Sequence, residues 1–470
     1  MRQSVRLLQV KIDGLLNVEH GVAQMACKYN RELFSQKADV LGIYGPNGSG
    51  KTTLIHSLGI LQTLLSGRQL APATIHYLRF GASQAQLSFD IAAESHGRQW
   101  RIVYTVVLAK AEGENERPQD HLVLRSERVQ YSELREGEWS KLAVLLHVPM
   151  SAEGKLAAPA YRAKQLAEIA GKNAAELIVD KLLTSRQGGS FLFSQAVQMK
   201  LIAAVPHFPE DGDPAFYLLR LLSGWGRYAF FVIETHGWGQ IHTNAMQPFF
   251  FRLRHGGRFD EGSIPVALNR PSLLPKQFFH VIMATVQTLN LVIDKIIPGM
   301  QVELVKLGEQ LDPHGVPGIV AELISVRGDM RIPLRYEAEG VKKLIAILQI
   351  LIEAYNDPSM TLAIDELDAG IFEYLLGEVL QVFQSGGQGQ LIFTSHNLRP
   401  LETLAKSALL FTTTNPKNRY IRFANVKTNN NLRDVYFHDI VLGGQKEEIY
   451  ERTSRFEIAH ALRKAGVPHA

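Results

Sequence analysis

Residues Gly45, Pro46, Asn47, Gly48, Ser49, Gly50, Lys51 and Thr52 fill every fixed position of G-x-x-x-x-G-K-[ST], and Thr53 follows them. Glycines at these places let successive backbone N–H groups turn inward around phosphate oxygens without Cβ clashes. Lys51 is placed to reach the β- and γ-phosphates, and the Thr52 hydroxyl to ligate Mg²⁺. The chemistry is the grip on a nucleoside triphosphate, with ATP and Mg²⁺ as the expected ligands. A second pattern, Leu362-Ala363-Ile364-Asp365-Glu366, is an apolar run ending in two adjacent carboxylates. Side chains alternate along a strand, so the two acids aim differently. Asp365 can hold the metal's water shell, and Glu366 can orient or deprotonate an attacking water. A third run, Leu391-Ile392-Phe393-Thr394-Ser395-His396-Asn397, ends in a polar cluster. A neutral His396 there can hydrogen-bond the γ-phosphate and the water.

These groups need elements to hold them. Residues 38–44 (ADVLGIY) read as a strand entering the glycine loop, and Leu54 to Leu65 has helical spacing. Strand, loop and helix in that order are what a phosphate loop requires, because the helix turns its positive end toward the anion. Residues 5–12 alternate as a strand, with a turn at Gly14 and Asn17, and 86–131 read as consecutive strands. Helical periodicity marks 150–300, strand-like alternation returns over 301–335, and a helix over 340–356 precedes the strand 360–364. The expected fold is α/β: a P-loop core, an antiparallel β-lobe and a helical insertion. Its expected domains are 1–145 with the glycine loop, 146–300 as a helical insertion subdomain, and 301–470 with the acidic pair, His396 and the tail.

Composition allows this. Hydrophobic residues make up 46% and charged residues 20% of the 470, which suits a globular core. A net charge of +4 permits a basic patch without demanding nucleic acid. The single cysteine, Cys27, forms no internal disulfide, and a reducing, cytoplasmic setting fits. The opening residues lack a continuous apolar region of signal-peptide kind. The most membrane-like stretch, Ala215–Ile233, is interrupted by Arg220 and Arg227, so no membrane span is expected. Glu234, His236 and His242 lack the spacing of a standard metal site.

The ordered set of glycine loop, Asp-Glu and His resembles the ABC-type ATPases, in their SMC/RecF/OLD-like branch. GPNGSGKTTL (45–54) is similar to that branch's Walker A, and DELDAGI (365–371) resembles its Walker B and D-loop. The resemblance implies an ATP hydrolase whose two copies pair head-to-tail over two ATPs, with Asp368 at the dimer interface. It also implies a signature element ahead of Walker B, for which Tyr336–Lys343 is the candidate. Gly340 there would offer N–H groups to the γ-phosphate of the other copy, helped by Lys342, while Ala338 stands where the branch usually has serine. Ser385-Gly386-Gly387-Gln388 and Gly443-Gly444-Gln445 spell signature fragments in the wrong order and read as turns. For the metal-watching glutamine that the resemblance implies in lobe I, Gln84 and Gln86 are the candidates.

The tail resembles "AAA family ATPase" proteins of anti-phage loci, including ATPase subunits of PARIS- and Septu-type systems. After His396 it holds Asp434 and Asp439 but no Asp-x-Asp, so a TOPRIM nuclease is not expected within this chain. The resemblance therefore implies a switch or scaffold that controls a separate effector chain, a nuclease, with a DNA or phage component as a further candidate partner. The alternative is a RecF/SMC-like ATPase of DNA maintenance, for which Arg252, Arg254, Arg258 and Arg270 are the candidate contacts. A transporter subunit fits poorly, given the helical insertion and the non-transporter signature.

Overall fold

The computed structural model describes residues 3–26, 38–110, 121–150, 155–205, 208–209, 212–234, 246–255, 258–423, 431–451 and 453–465, with the backbone only at 246–255, 258–265, 441 and 442. Cys27, His236 and His242 lie outside the described residues.

The chain opens with the hairpin β1 (Ser4–Leu15) and β2 (Val18–Gln24). Next, β3 (Asp39–Tyr44) is buried at every residue, and it delivers the glycine loop to α1 (Lys51–Leu65). Strands β4 (Gln84–Ser95), β5 (Arg98–Lys110), β6 (Leu122–Arg135), β7 (Glu138–Trp139) and β8 (Ala143–Pro149) follow. With β1 and β2 they form one seven-stranded sheet in the order β2-β1-β4-β5-β6-β7, with β8 also on β6, all antiparallel. Strand β5 alternates buried and half-buried positions, as strands of one-sided antiparallel sheets do.

Helices α2 (Ala160–Ala170), α3 (Ala174–Arg186), α4 (Gln195–Ala204) and α5 (Ala215–Tyr228) come next. Asn173 and Ser194 cap α3 and α4 by accepting from the Glu176 and Val197 amides. The expectation of one helical insertion over 146–300 then needs correction. The chain leaves α5 directly into β9 (Phe230–Ile233), which pairs in parallel within the central sheet. FFVI is a short apolar run without alternation, and periodicity cannot separate such a run from the end of a buried helix. Three more strands, β10 (Met246–His255), β11 (Arg258–Ala267) and β12 (Ser272–Pro275), precede α6 (Phe279–Ile296). The stretch Ala215–Ile233 is thus a buried helix plus a strand, and no described helix is long and apolar enough to cross a membrane.

Strands β13 (Gln301–Leu311), β14 (Pro317–Arg327) and β15 (Met330–Pro333) form a four-stranded antiparallel sheet with β12. The long helix α7 (Glu339–Asn356) leads to β16 (Thr361–Ile364), and α8 (Glu373–Gly386) to β17 (Gln390–Thr394). The chain closes with α9 (Pro400–Thr403), β18 (Leu409–Thr412), β19 (Tyr420–Ile421), α10 (Leu432–Leu442) and α11 (Arg455–Ala465).

The central sheet runs β19-β18-β3-β17-β16-β9, parallel except at β19. Both of its faces are covered. Leu41, Ile43 and Ile392 point into a core shared with α1 and the seven-stranded sheet. Their neighbours Val40, Tyr44, Leu391 and Phe393 point into another, built with α7, α8 and α10. Burial on both faces is why these strands read as unbroken apolar runs.

One buried side chain ties the two large sheets together. Gln390, at the start of β17, donates from Nε2 to the Leu7 carbonyl (2.7 Å) and the Asp39 carboxylate (2.6 Å), and its Oε1 accepts from the Leu7 amide (3.0 Å). Replacing it with an apolar residue of similar size leaves the Leu7 peptide groups without these partners. We expect Gln390→Leu to destabilise the fold by about 2–4 kcal/mol, read from the urea midpoint. An unchanged midpoint would show that the amide clamp contributes nothing.

Candidate functional site

The parallel order places the ends of β3, β17 and β16 side by side, and ligands of open α/β sheets bind outside the carboxyl ends of such strands. The glycine loop leaves β3, His396 follows β17, and Asp365 and Glu366 follow β16. The three motifs therefore meet at one edge.

The loop is braced from behind. A Cβ on Gly45, whose φ is +152°, would fall 1.8 Å from Thr412 Oγ1, so only glycine fits between the loop and β18. Ser49 turns its hydroxyl onto the Pro46 carbonyl (2.6 Å) and Thr412 Oγ1 (2.5 Å), away from the cleft. Tyr420 donates to the Gly50 carbonyl (2.8 Å), Asn17 to that of Gly48, and Thr53 to Asn17 Oδ1 (2.9 Å). Arg419 spans the Asn17 and Thr413 carbonyls (2.5 and 2.6 Å). Lys51 folds over the loop, donating to the carbonyls of Gly45 (2.8 Å) and Pro46 (2.9 Å). Burial pushes its pKa down, while Asp365, Glu366 and Asp368 oppose that shift.

Asp365 is buried and joins the pieces. Its Oδ1 accepts from Thr394 Oγ1 (2.6 Å) and from Thr52 Oγ1 (3.3 Å), and its amide donates to the Ile233 carbonyl of β9 (2.9 Å). A hydroxyl and a carboxylate converging through hard oxygens is the donor set a Mg²⁺ site uses, so Thr52 and Asp365 fit the ion. Glu366 adopts φ +47°, a left-handed conformation costing roughly 1–2 kcal/mol for a non-glycine residue. Several bonds hold it there: its amide donates to Thr394 Oγ1 (2.7 Å), and its carbonyl accepts from the Ala369 amide (3.0 Å) and from Lys343 Nζ. Glu366 and His396 both line the cleft.

That cleft is about 1060 Å³ and includes Asn47, Gly48, Gly50, Lys51, Thr52 and Thr53. It is also lined from segment 75–83, where Phe80 stands fully in solvent. Asp368 and Gly340 do not line it. Asp368 instead accepts within the chain from the His396 and Asn397 amides (both 3.0 Å), which fixes the loop bearing His396. Gly340, in the first turn of α7, packs on Gly370: a Cβ there would lie 1.7 Å from the Gly370 carbonyl oxygen. Gln84 and Gln86 are exposed on β4 and outside the cleft lining, although Ser83 belongs to it. Glu234 pairs with His56 of α1 (3.1 Å), and no cluster of metal-ligand residues occurs among the described residues. Ser385 and Gly386 are the last residues of α8 rather than part of the expected turn; Gly387 and Gln388 follow that helix, and Gly443–Gln445 follow α10.

Four contributors escaped the sequence reading. Asn17 signals only a turn, and Thr394 is one hydroxyl in a polar cluster. Arg419 has no local pattern. Lys343 is hidden by its neighbour Lys342, which is also buried and pairs with the exposed Glu339.

This sheet order, loop and acidic pair define an α/β P-loop fold whose strand edge is built to hold a nucleoside triphosphate. Residues 40–138 match the family described as "AAA domain, putative AbiEii toxin, Type IV TA system". No curated protein sequence matches the chain. Among solved structures, similar ones include an SMC head bound to the C-terminal winged-helix domain of ScpA (12% identity, 89% of this chain and 98% of that chain, TM-score 0.38). Others are the SMC head domain from Thermotoga maritima (12%, 89% and 99%, 0.36) and the recombination mediator RecF with ATP (12%, 84% and 94%, 0.33). The class rests on the chain's own strand order and site geometry.

Thr394 holds both the Asp365 carboxylate and the Glu366 amide. Thr394→Val is therefore expected to lower ATP turnover about 10–100-fold, the usual loss when an outer-shell partner is removed, with ATP affinity within about threefold of wild type. Steady-state turnover and equilibrium binding check this, and wild-type turnover in the variant overturns it.

Proposed function

We propose that the chain is an ATP-driven switch: two copies close head-to-tail on two ATPs, and the closed state controls a separate effector chain, a nuclease, in anti-phage defence. One observation carries the pairing. The first turn of α7 stands outside its own chain's cleft, with Ala338 and Glu339 exposed, so Gly340 has no role toward the nucleotide of its own chain. Tyr336 and Phe372, 70% and 74% exposed, flank the Gly340–Gly370 contact in sequence and offer apolar area to a second copy. The toxin–antitoxin wording of the family matched over 40–138 supports an effector-linked role.

Within each site the residues have separate tasks. Lys51 and the loop N–H groups hold the phosphates, Glu366 orients the attacking water and takes its proton, and His396 hydrogen-bonds the γ-phosphate. Thr52 and Asp365 would hold Mg²⁺, which would supply neutralisation of the charge on the γ-phosphoryl group. Because a ligand shifts an equilibrium only by its differential affinity, ATP must bind the closed pair better than the open chain.

Glu366→Gln is expected to bind ATP, lose turnover and accumulate as a pair in light scattering, while Lys51→Ala loses ATP binding. Equal turnover by wild type and Glu366→Gln would overturn the assignment. A second readout separates the runner-up. Arg252, Arg254 and Arg258 fall on the hairpin β10–β11. Duplex-DNA binding whose affinity falls steeply with salt would replace the effector by DNA as the thing switched. The present reading expects no such binding.

A further inference from the structure

We propose that Lys343 is a positioning residue: its ammonium group holds the main chain of Glu366 in the left-handed turn after β16 and ties that turn to α7. The inference rests on the reading that Glu366 serves turnover. Lys343 lies one turn into α7 and is only 3% exposed. A buried ammonium group persists where it is paired and hydrogen-bonded. Its Nζ donates to the carbonyl oxygen of Glu366, the residue whose φ is +47°. The charged groups around it are Asp368, Glu366 and Asp365, and Asp368 Oδ1 is buried without a hydrogen-bond partner. Burial pushes the lysine toward losing its proton, and these three carboxylates, Asp368 foremost, oppose that.

A lysine serving only as counter-ion would be satisfied by any of the carboxylates. This one grips the peptide whose orientation decides where the Glu366 side chain points. The same helix touches the same turn a second time, at Gly340 on Gly370. Segment 366–370 is therefore held to α7 at both ends, so that a displacement of the start of α7, where Ala338 and Glu339 are exposed, carries Glu366 with it. Strained backbone of this kind lasts only where its surroundings over-determine it.

The test uses the full chain with Lys343→Met, which keeps length without charge, and Lys343→Arg, which keeps the donor. Hydrogen exchange at the amides of 366–371 is read alongside ATP affinity, single-turnover hydrolysis and thermal midpoint. In Lys343→Met those amides should exchange at least tenfold faster, ATP affinity should stay within about threefold, and turnover should fall at least tenfold. Lys343→Arg should recover most of both. Should Lys343→Met not fold, Lys343→Gln, a shorter neutral donor, reads the same exchange. Unchanged exchange at 366–371, or a loss of turnover matched by loss of ATP binding, overturns the proposal. Absence of turnover in the wild type would instead defeat the ATPase reading, and the exchange measurement would still decide the role of the lysine.

Discussion

The site depends on one buried carboxylate. Asp365 Oδ1 accepts from Thr394 at the end of β17 and from Thr52 in the first turn of α1, while its amide is bound to β9. Three strand ends and a helix start are thereby fixed to one another within a few ångströms. The parallel order makes this possible, since it alone brings β3, β17 and β16 to the same edge with the same polarity. A carboxylate in so enclosed a place is tolerated because both oxygen-bearing neighbours are donors. The same arrangement leaves a divalent ion hard oxygens to join rather than a site to build.

A second dependence runs through α7. Ile347, Ile350 and Leu351 lie in the core beneath the central sheet, while Ile345, Ala346 and Leu348 lie in the core made with α6 and the β12–β15 sheet. The helix is buried on most of its circumference, while Ala338 and Glu339 at its start are exposed. Close-packed interiors transmit displacement rather than absorb it. A helix clamped between two cores and open at one end couples whatever meets that end to the loop carrying Glu366.

How legible was this in the sequence? The glycine loop, the acidic pair and His396 stand at strand ends that apolar runs announce, and local order alone names them. Gly340 and Asp368 are less transparent. The sequence supports their motif, but the fold puts Asp368 to work inside its own chain, on the His396 and Asn397 amides. Lys343, Gln390 and Arg419 could not be read at all. Each acts on a main-chain carbonyl or amide far away in sequence, and a carbonyl has no residue type to betray it. The FFVI strand was lost for another reason: four apolar residues after a helix carry no period, and only pairing with β16 makes them a strand.

The two walls of the cleft differ in kind, and that difference bears on commitment to chemistry. The phosphate wall is over-determined, with the loop held by Thr412, Tyr420, Asn17 and Arg419 and with Lys51 already turned over it. The lining from segment 75–83 carries a fully solvated Phe80, and no residue of α7 lines the cleft. A single chain can therefore grip phosphates while leaving the reacting end in contact with water. In the proposed reading, closure by a second copy supplies the missing face. Binding energy gained there is realised only in the closed state, which is the condition for ATP to act as a switch rather than as a permanently held ligand.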